Sequence, residues 1–275
     1  MNRVLNPFNL TNQVAIVTGG AGLLGSEFCR TLAEAGAHVA VADINREAAV
    51  AVAASINASG AAPEDKTYQK QAIPIEVDVT SPHSVRRMIE TVMETANRLD
   101  ILVNSAALDP KSESQAFEDY PLELWDRALE VNLTGIFISC QAAARPMLAQ
   151  GKGVIVNLSS IYGLVGPDQR IYHQGKGPVQ YKPAYYSATK AGVLGLTRYL
   201  ATYFAGKGIR ANALSPGGVF DGHDESFVEA YSARTLLGRM AGKDELNGAL
   251  LFLASDASAY MTGANLVVDG GWTAW

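Results

Sequence analysis

An apolar strand that runs into a glycine turn constrains this chain more than any other feature. Val14 to Thr18 form a continuous apolar segment, which predicts a strand buried on both faces. The next seven residues, 19–25, include four glycines, and a helix is predicted from about Gly22 to Ala35. A strand buried on both faces needs helices above and below it. The chain is therefore expected to form a layered α/β fold.

The same alternation continues along the chain. Six further strands are predicted at 38–43, 72–77, 101–104, 154–158, 210–214 and 266–268. Helices are predicted at 46–59, 82–97, 122–149 (with strain at Pro146), 184–206 and 244–254. Alternating strands and helices imply parallel strands joined by right-handed crossovers. The prediction is a doubly wound, Rossmann-like α/β fold: a seven-stranded parallel sheet with helices on both faces, in one domain over 1–275.

Composition narrows the class of protein. The chain has 275 residues, of which 48% are hydrophobic, so a single domain with a sizeable core is expected. A net charge of −5 argues against a nucleic-acid partner. Cys29 and Cys140 are too few for a disulfide framework and lack metal-ligand spacing. Neither a membrane span nor a secretory signal in residues 1–10 is predicted, which makes a cytoplasmic location the expectation.

The glycine turn has the pattern of a dinucleotide site. Gly20, Gly22 and Gly25 satisfy G-x-G-x-x-G between a predicted strand and a predicted helix. Glycines let the backbone approach a pyrophosphate, and the helix N-terminus supplies N–H donors. Asp43 ends the second strand, 18 residues after Gly25, where a carboxylate would bind ribose hydroxyls and repel a 2′-phosphate. This favours NAD over NADP, although Asp43 could instead cap the next helix and Arg46 could soften the discrimination.

A tyrosine and a lysine in the second half of the chain indicate proton transfer. Tyr186 and Lys190 are four residues apart, so a helix places both on one face. An ammonium beside a phenol favours the phenolate, and such a tyrosine can exchange protons with a substrate oxygen. The neighbouring Tyr185 has Thr189 instead of a lysine at this spacing. With the glycine turn, the pair indicates hydride transfer between a nicotinamide and an alcohol or ketone, although Y-x-x-x-K alone also occurs on solvated helix faces.

Several further motifs follow in a fixed order. They are Asp78-Val79, Asn104-Ser105-Ala106-Ala107, Asn132, Leu158-Ser159-Ser160, Tyr186-x-x-x-Lys190, Ser215-Pro216-Gly217 and Leu266-Val267-Val268-Asp269-Gly270-Gly271. Over nearly its whole length the chain resembles the short-chain dehydrogenase/reductase family, in its single-domain branch. Two features depart from that branch. Leu23 stands where a glycine is usual, as in the longer two-part branch, and Ser105 and Ala107 alter the usual N-N-A-G motif.

The resemblance implies a role for each catalytic candidate. Tyr186 would be the general acid/base, and Lys190 would support it and bind the nicotinamide ribose. Ser160 would hold the substrate oxygen and stabilise developing charge, with Ser159 as the alternative. Asn132 would support a water near the lysine for proton relay. Each residue also has a purely structural alternative. The two serines would form a turn at the strand end, and Asn132 would be a buried amide that bonds to the backbone.

The resemblance also implies a set of cofactor-binding residues and no metal. Asp78 would bond the adenine amino group, Asn104 the adenosine ribose, and the loop that begins at Pro216 would lie under the nicotinamide. The full set is Gly19, Gly22, Leu23, Leu24, Gly25, Asp43, Asp78, Val79, Asn104, Ala106, Tyr186, Lys190, Pro216, Gly217 and Val219.

The substrate side carries an insertion. Ser160 and Tyr186 are 26 residues apart, roughly twice the usual family spacing, so a loop at about 163–183 is expected beside the substrate. Its potentially positive groups hint at an anionic or nucleotide-bearing substrate, although a solvated loop or a subunit contact would also explain them. These groups are Arg170, His173, Lys176 and Lys182. Residues 221–231 should form the opposite wall, and Asp109 and Lys111 are expected to reach the same cleft.

A polar cleft of mixed charge fits a sugar or polyol better than a steroid or an acyl chain. Residues 159–170 are also similar to a bacterial subgroup linked with sugar modification of flagellin. One alternative is a 3-oxoacyl carrier-protein reductase that uses NADPH, against which Asp43 argues. Another is a non-catalytic dinucleotide sensor or scaffold, which would not need the proton-transfer residues.

A homo-oligomer, either a tetramer or a dimer, is expected to form through the helices at 122–149 and 184–206. The tail at 272–275 should pack on its own substrate wall or on a neighbour.

Overall fold

A seven-stranded parallel sheet forms the centre of the protein. The structure, a computed structural model, describes residues 6–59, 71–109, 114–172 and 179–275. The strands are Val14–Thr18 (β1), His38–Asp43 (β2), Ala72–Glu76 (β3), Ile101–Asn104 (β4), Gly153–Leu158 (β5), Ile209–Pro216 (β6) and Asn265–Val268 (β7). Their order is β3-β2-β1-β4-β5-β6-β7, and the strand order reverses between β1 and β4. The predicted doubly wound sheet is confirmed.

Helices cover both faces of this sheet. They are Leu23–Glu34 (α1), Arg46–Ala58 (α2), Pro82–Ala96 (α3), Leu122–Leu129 (α4), Gly135–Gln150 (α5), Ala184–Tyr203 (α6), Glu225–Ser232 (α7) and Asn247–Ala254 (α8). Side chains of α1, α2 and α8 pack in one apolar core, and those of α3, α5 and α6 pack in a second core. Because each strand residue alternates between these two cores, the strands read as continuous apolar segments.

Helix α3 shows how the sequence sets a boundary. The Ser81 side chain accepts a hydrogen bond from Ser84 N, and Pro82 occupies the first helical position. The helix ends at Asn97, which adopts a left-handed conformation with φ 51°. Both ends agree with the prediction, since Ser and Pro favour a helix start and Asn tolerates positive φ.

The predicted helix at 122–149 has a break that the sequence did not indicate. A π-helical turn at Glu130–Thr134 joins α4 to α5, while Pro146 lies inside α5 without ending it. The turn is held by tertiary contacts. Asn132 bonds to Leu108, and a Cβ at Gly135 would lie 2.8 Å from Val79 Cγ2. A π turn of this kind is common at functional sites.

The substrate side differs from the prediction in one further element. No helix was predicted at 221–231, the segment expected to form the opposite wall, and the structure contains α7 there. Residues 161–163, at the start of the insertion, and 169–172, within it, form short 3-10 turns. His173, Lys176 and Lys111 lie outside the described residues. Across the described ranges, no helix is long and apolar enough to cross a membrane.

Candidate active site

The glycine turn packs tightly between β1, α1 and the segment after β4. Gly19 has a positive φ of 64°, and a Cβ there would lie 2.7 Å from Ala106 Cα. A Cβ at Gly25 would lie 2.0 Å from Gly19 O. Gly22 begins α1 without a side-chain cap, so the first N–H groups of this helix are left for another partner. A cradle of glycine backbone at a helix N-terminus is the arrangement that binds phosphate.

The two leucines of the turn have different environments. Leu23, which replaces the expected glycine, is 39% exposed, and Leu24 packs against the apolar core. The larger side chain at position 23 therefore points away from the packed interior and does not disturb the contact between Gly19 and Gly25.

Asp43 lies beside the glycine turn. Its Oδ2 accepts a hydrogen bond from Ala21 N at 3.0 Å, and its Oδ1 accepts one from Asn45 N at 2.9 Å. The cap of α2 is Asn45, whose side chain accepts from Ala48 N. Asn45 thus performs the capping of the next helix, which was the alternative role of Asp43. Asp43 itself places a carboxylate at the glycine turn.

Two other expected cofactor residues each have one side-chain polar atom engaged within the protein. Asn104 is 1% exposed, and its Nδ2 donates to Asn157 Oδ1 at 2.8 Å and to Cys140 Sγ at 3.2 Å. The Nδ2 group of Asn104 therefore joins β4 to β5 and α5, and a contact of this residue with the adenosine ribose stays a prediction. Asp78 Oδ1 accepts from both Thr80 N and Thr80 Oγ1, at the end of the third strand.

The predicted catalytic pair, Tyr186 and Lys190, lies at the start of α6. Lys190 is 4% exposed, its Nζ donates to Leu158 O at 2.9 Å, and it lies 5.8 Å from the ring centroid of Tyr186. Burial is the main reason that the pKa of Lys190 falls to about 8; Asp109 raises this pKa and Lys182 lowers it by smaller amounts. Tyr185 is buried against Tyr120, so Tyr186 is the partly exposed tyrosine beside this lysine, as expected.

The two serines at the end of β5 have different partners. Ser159 Oγ donates to Lys190 O at 2.8 Å and thereby joins the strand end to α6. Ser160 Oγ accepts a hydrogen bond from Tyr162 N at 3.2 Å, which leaves its own proton for a further acceptor. This difference favours Ser160 over Ser159 as the group that meets a substrate oxygen.

Asn132 holds backbone rather than facing a cleft. It is fully buried, its Oδ1 accepts from Leu108 N at 2.6 Å, and its Nδ2 donates to Leu108 O at 2.9 Å. Both polar groups of the amide are therefore engaged. A role for Asn132 in proton relay stays a prediction. Its structural effect is to fix residue 108 and the residue that follows.

An aromatic wall stands beside Tyr186 and was not predicted as a unit. It consists of Tyr162, Tyr172, Phe227, Tyr231 and Trp272. The ring of Tyr162 meets those of Tyr186 and Trp272 edge-on at 6.4 Å and 6.3 Å, and Trp272 stacks on Tyr231 at 4.3 Å. The tail thus packs on its own substrate wall through Trp272. Burial raises the pKa of Tyr162 to about 12, so this phenol stays neutral near pH 7.

Carboxylates neutralise the described cations of the insertion. Arg170 and Arg234 both pair with Asp168, and Lys182 pairs with Asp109. The expectation of an anionic substrate rested on positive groups in this loop. Arg170 and Lys182 do not support that expectation, because each already has an acidic partner.

The loop after β6 is held at the same end of the sheet. Gly217 N donates to Val268 O at 2.9 Å, and a Cβ at Gly217 would lie 2.8 Å from Asp269 Cα. Val219 forms a bridge with Ala241. The structure therefore brings the Pro216–Val219 loop, the glycine turn and the β5 end to the carboxyl edge of one sheet, where ligands bind in this class of fold. Among the described residues, no group of three or more His, Cys, Asp and Glu side chains could hold a metal.

Comparisons with known proteins agree with this arrangement. A family model described as enoyl-(acyl carrier protein) reductase matches residues 22–273. D-threitol dehydrogenase of Mycolicibacterium smegmatis is 36% identical over 271 residues, which cover 97% of this chain and 95% of that protein. NAD-dependent glycerol dehydrogenase of Listeria innocua is 31% identical over 274 residues, or 97% and 96% of the two chains.

A solved structure extends the agreement to three dimensions. Gluconate 5-dehydrogenase from Burkholderia cenocepacia, in complex with NADP and tartrate, is 32% identical and has a TM-score of 0.86. The match covers 99% of this chain and 100% of that one. The family model matches most of the chain, the relatives align over nearly its whole length, and the fold is shared. This chain therefore belongs to the short-chain dehydrogenase/reductase family.

Proposed function

We propose that this protein is an NAD(H)-dependent oxidoreductase that interconverts a secondary alcohol and a ketone on a sugar, polyol or sugar derivative. One observation carries the proposal. A buried lysine, fixed to Leu158 O, supports the partly exposed Tyr186 at the sheet edge that also holds the glycine turn. Both the cofactor site and the substrate site are proposed to lie in one domain, over 1–275.

The residues present fit a dinucleotide. The uncapped N-terminus of α1 and the cradle at Gly19, Gly22 and Gly25 would hold the pyrophosphate, and Asp43 would hold the adenosine ribose. Leu23, Leu24, Asp78, Val79, Ala106 and the backbone of Asn104 would complete the adenosine side, and Pro216, Gly217 and Val219 the nicotinamide side. A bound nicotinamide would supply the acceptor for a hydride from the substrate carbon.

The side chains around Tyr186 would divide the work of oxidation. Ser160 would donate a hydrogen bond to the substrate oxygen and hold it beside the phenol. Tyr186, as phenolate, would take the hydroxyl proton as the carbonyl forms, and would return a proton in the reverse direction. The Lys190 ammonium would favour the phenolate and bond the nicotinamide ribose. Asn132 would keep residues 108–109 in place.

NAD is proposed over NADP because the Asp43 carboxylate bonds Ala21 N at the glycine turn, and a carboxylate beside the adenosine ribose would repel a 2′-phosphate. The relatives do not decide this, since one is named as NAD-dependent and another was solved with NADP. Their names refer to threitol, glycerol and gluconate, which supports a polyol or sugar substrate. The second candidate is a 3-oxoacyl carrier-protein reductase that uses NADPH; the description of the family model also names a carrier-protein reductase, but one that acts on an enoyl group.

Thermal unfolding with NADH or NADPH tests the cofactor. A ligand at about 100 times its Kd adds about 2.7 kcal/mol to the free energy of unfolding, which is measurable. We expect a larger shift of Tm with NADH, and a reversed preference in Asp43→Ser. A larger shift with NADPH for the wild-type protein would overturn the NAD assignment and favour the acyl reductase. No shift with either cofactor would favour the sensor or scaffold.

We further propose a homo-oligomer, tetramer or dimer, formed through α4–α5 and α6. Several large side chains of these helices are exposed, as subunit interfaces require. They are Leu122, Phe137, Leu148, Tyr199 and Tyr203. A cytoplasmic location stays a prediction from composition, as does the similarity to the flagellin-linked subgroup.

A further inference from the structure

One charged pair beside Tyr186 takes no part in the proposed proton transfer. Lys182 Nζ lies over the Tyr186 ring, 3.7 Å from its centroid, and bonds to Asp109. The Lys182 side chain is 15% exposed and that of Asp109 is 39% exposed, so the ammonium is largely covered while the carboxylate is open to solvent. The ammonium thus lies against the face of the same ring whose hydroxyl meets the substrate.

Both partners are held by networks of their own. Lys182 N donates to Gln169 Oε1 at 2.9 Å, and Gln169 Nε2 donates back to Lys182 O at 2.9 Å. On the other side, Asp109 directly follows Leu108, whose backbone is bonded twice by the buried Asn132. A surface ion pair usually lacks such support. Here two separate segments are fixed so that the Asp109 carboxylate meets the ammonium that lies over Tyr186.

The chemistry of the pair suits hydroxyl groups. The two charges cancel, so the pair does not attract an anion as a single ammonium would. It nevertheless keeps hydrogen-bonding capacity, because an ammonium has three donors and a carboxylate has two acceptor oxygens. The aromatic wall reaches Tyr186 through the edge of Tyr162. A cleft with an apolar aromatic side and a donor–acceptor pair fits a carbon chain that carries several hydroxyls.

We propose that Asp109 and Lys182 form a recognition site for a second substrate hydroxyl, on the carbon next to the one that reacts. Because Lys182 covers the ring of Tyr186, a substrate whose reacting oxygen meets the Tyr186 hydroxyl brings its neighbouring substituent to the pair. The site selects vicinal diols and polyols over simple secondary alcohols. This inference rests on the proposed alcohol–ketone function and names the substrate class for it.

The test compares butane-2,3-diol with butan-2-ol, each with matched configuration at the reacting carbon, as substrates with NAD. The quantity measured is the ratio of kcat/KM for the diol to kcat/KM for the mono-alcohol. An effect of the substitution on Tyr186 changes both rates equally and cancels in this ratio. A loss of activity on the diol alone would not distinguish such an effect from the loss of the recognition site. The variants are Lys182→Met, Lys182→Arg and the near-isosteric Asp109→Asn. The matched control is Lys207→Met, because Lys207 lies over the ring of Tyr203 at 3.8 Å, away from the cleft.

The wild-type protein should prefer the diol. Lys182→Met and Asp109→Asn should each lower the ratio by about 10- to 100-fold, the effect of losing a charged hydrogen-bond partner. Lys182→Arg should keep more of the preference than Lys182→Met, and Lys207→Met should leave the ratio unchanged. The Tm and the Kd for NADH show whether each variant is folded. If Lys182→Met does not fold, the ratio measured for Asp109→Asn tests the proposal.

Two other results overturn the inference in different ways. If the wild-type protein oxidises both alcohols and the ratio survives in Lys182→Met and Asp109→Asn, the pair only anchors the insertion, while the proposed function stands. If NADH binds but neither alcohol is oxidised, the proposed function itself fails and the inference falls with it.

Discussion

Replacing Gly25 with alanine should damage both the stability and the cofactor affinity of the protein. The new Cβ would lie 2.0 Å from Gly19 O, roughly 1.5 Å inside the contact distance of about 3.5 Å between packed atoms. One atom belongs to α1 and the other to a turn whose Gly19 already has a φ of 64°. Neither can rotate away as a flexible side chain would. The helix and the turn must therefore separate.

The size of the effect follows from this overlap. Overpacking in a rigid site costs about 1–3 kcal/mol, and a loss of about 2 kcal/mol lowers Tm by roughly 4–8 °C in a protein of this size. If the turn opens to relieve the clash, the same energy weakens NADH binding by roughly 30-fold. Calorimetry gives the Tm, and titration of NADH fluorescence gives the Kd.

Gly248 offers a matched control. It lies on the exposed side of α8, where an added Cβ meets nothing within 4 Å. Gly248→Ala should leave the Kd for NADH unchanged and raise the stability by up to about 1 kcal/mol, since alanine is the better helix former. A Gly25→Ala protein with the Tm and Kd of the wild type would refute the close contact between α1 and the glycine turn.

Three further predictions use other groups. Tyr186→Phe should lower kcat at least ~100-fold, by loss of the acid/base group, while NADH titration shows binding retained. Burial lowers the pKa of Lys190 from 10.5 to about 8. The folded protein therefore releases this proton at a lower pH than the unfolded chain, and its stability should rise between about pH 8 and 10.5. Lys190→Met should flatten that rise in Tm, and a variant with the Tm–pH profile of the wild type would contradict the prediction. Burial raises the pKa of both thiols, Cys29 and Cys140, and it raises that of Cys140 to about 12. Mass spectrometry should therefore show that iodoacetamide at pH 7 labels both thiols in urea and neither in the native protein.

The parts of the fold that could be predicted are those set by local pattern. Strands buried on both faces leave uninterrupted apolar segments, and all seven were located within two residues of their bounds. Gly25 and Asp43 were identified because the turn and the strand end require particular residue types. Asp109 was expected to reach the substrate cleft, and it pairs with Lys182, whose Nζ lies over the Tyr186 ring.

The parts that were missed depend on contacts between distant segments. The π turn is held by Leu108 and Val79, which lie far from Asn132 in the sequence. Helix α7 is too short for its periodicity to be clear, and its apolar side chains gain their order from the aromatic wall. The orientation of Asn104 is set by Asn157 on the next strand, a partner that only the sheet order reveals.

The reciprocal bonding around Lys190 has a consequence for how this protein can change. Ser159 Oγ bonds Lys190 O and Lys190 Nζ bonds Leu158 O, while a Cβ at Gly163 would lie 2.7 Å from Lys190 C. These contacts join the strand end to the helix without help from residues 164–183. Lys190 is therefore anchored independently of that segment, whereas Tyr186 is touched by it through Lys182. Exchange of the segment would alter the surroundings of the tyrosine while the anchorage of the lysine stays in place.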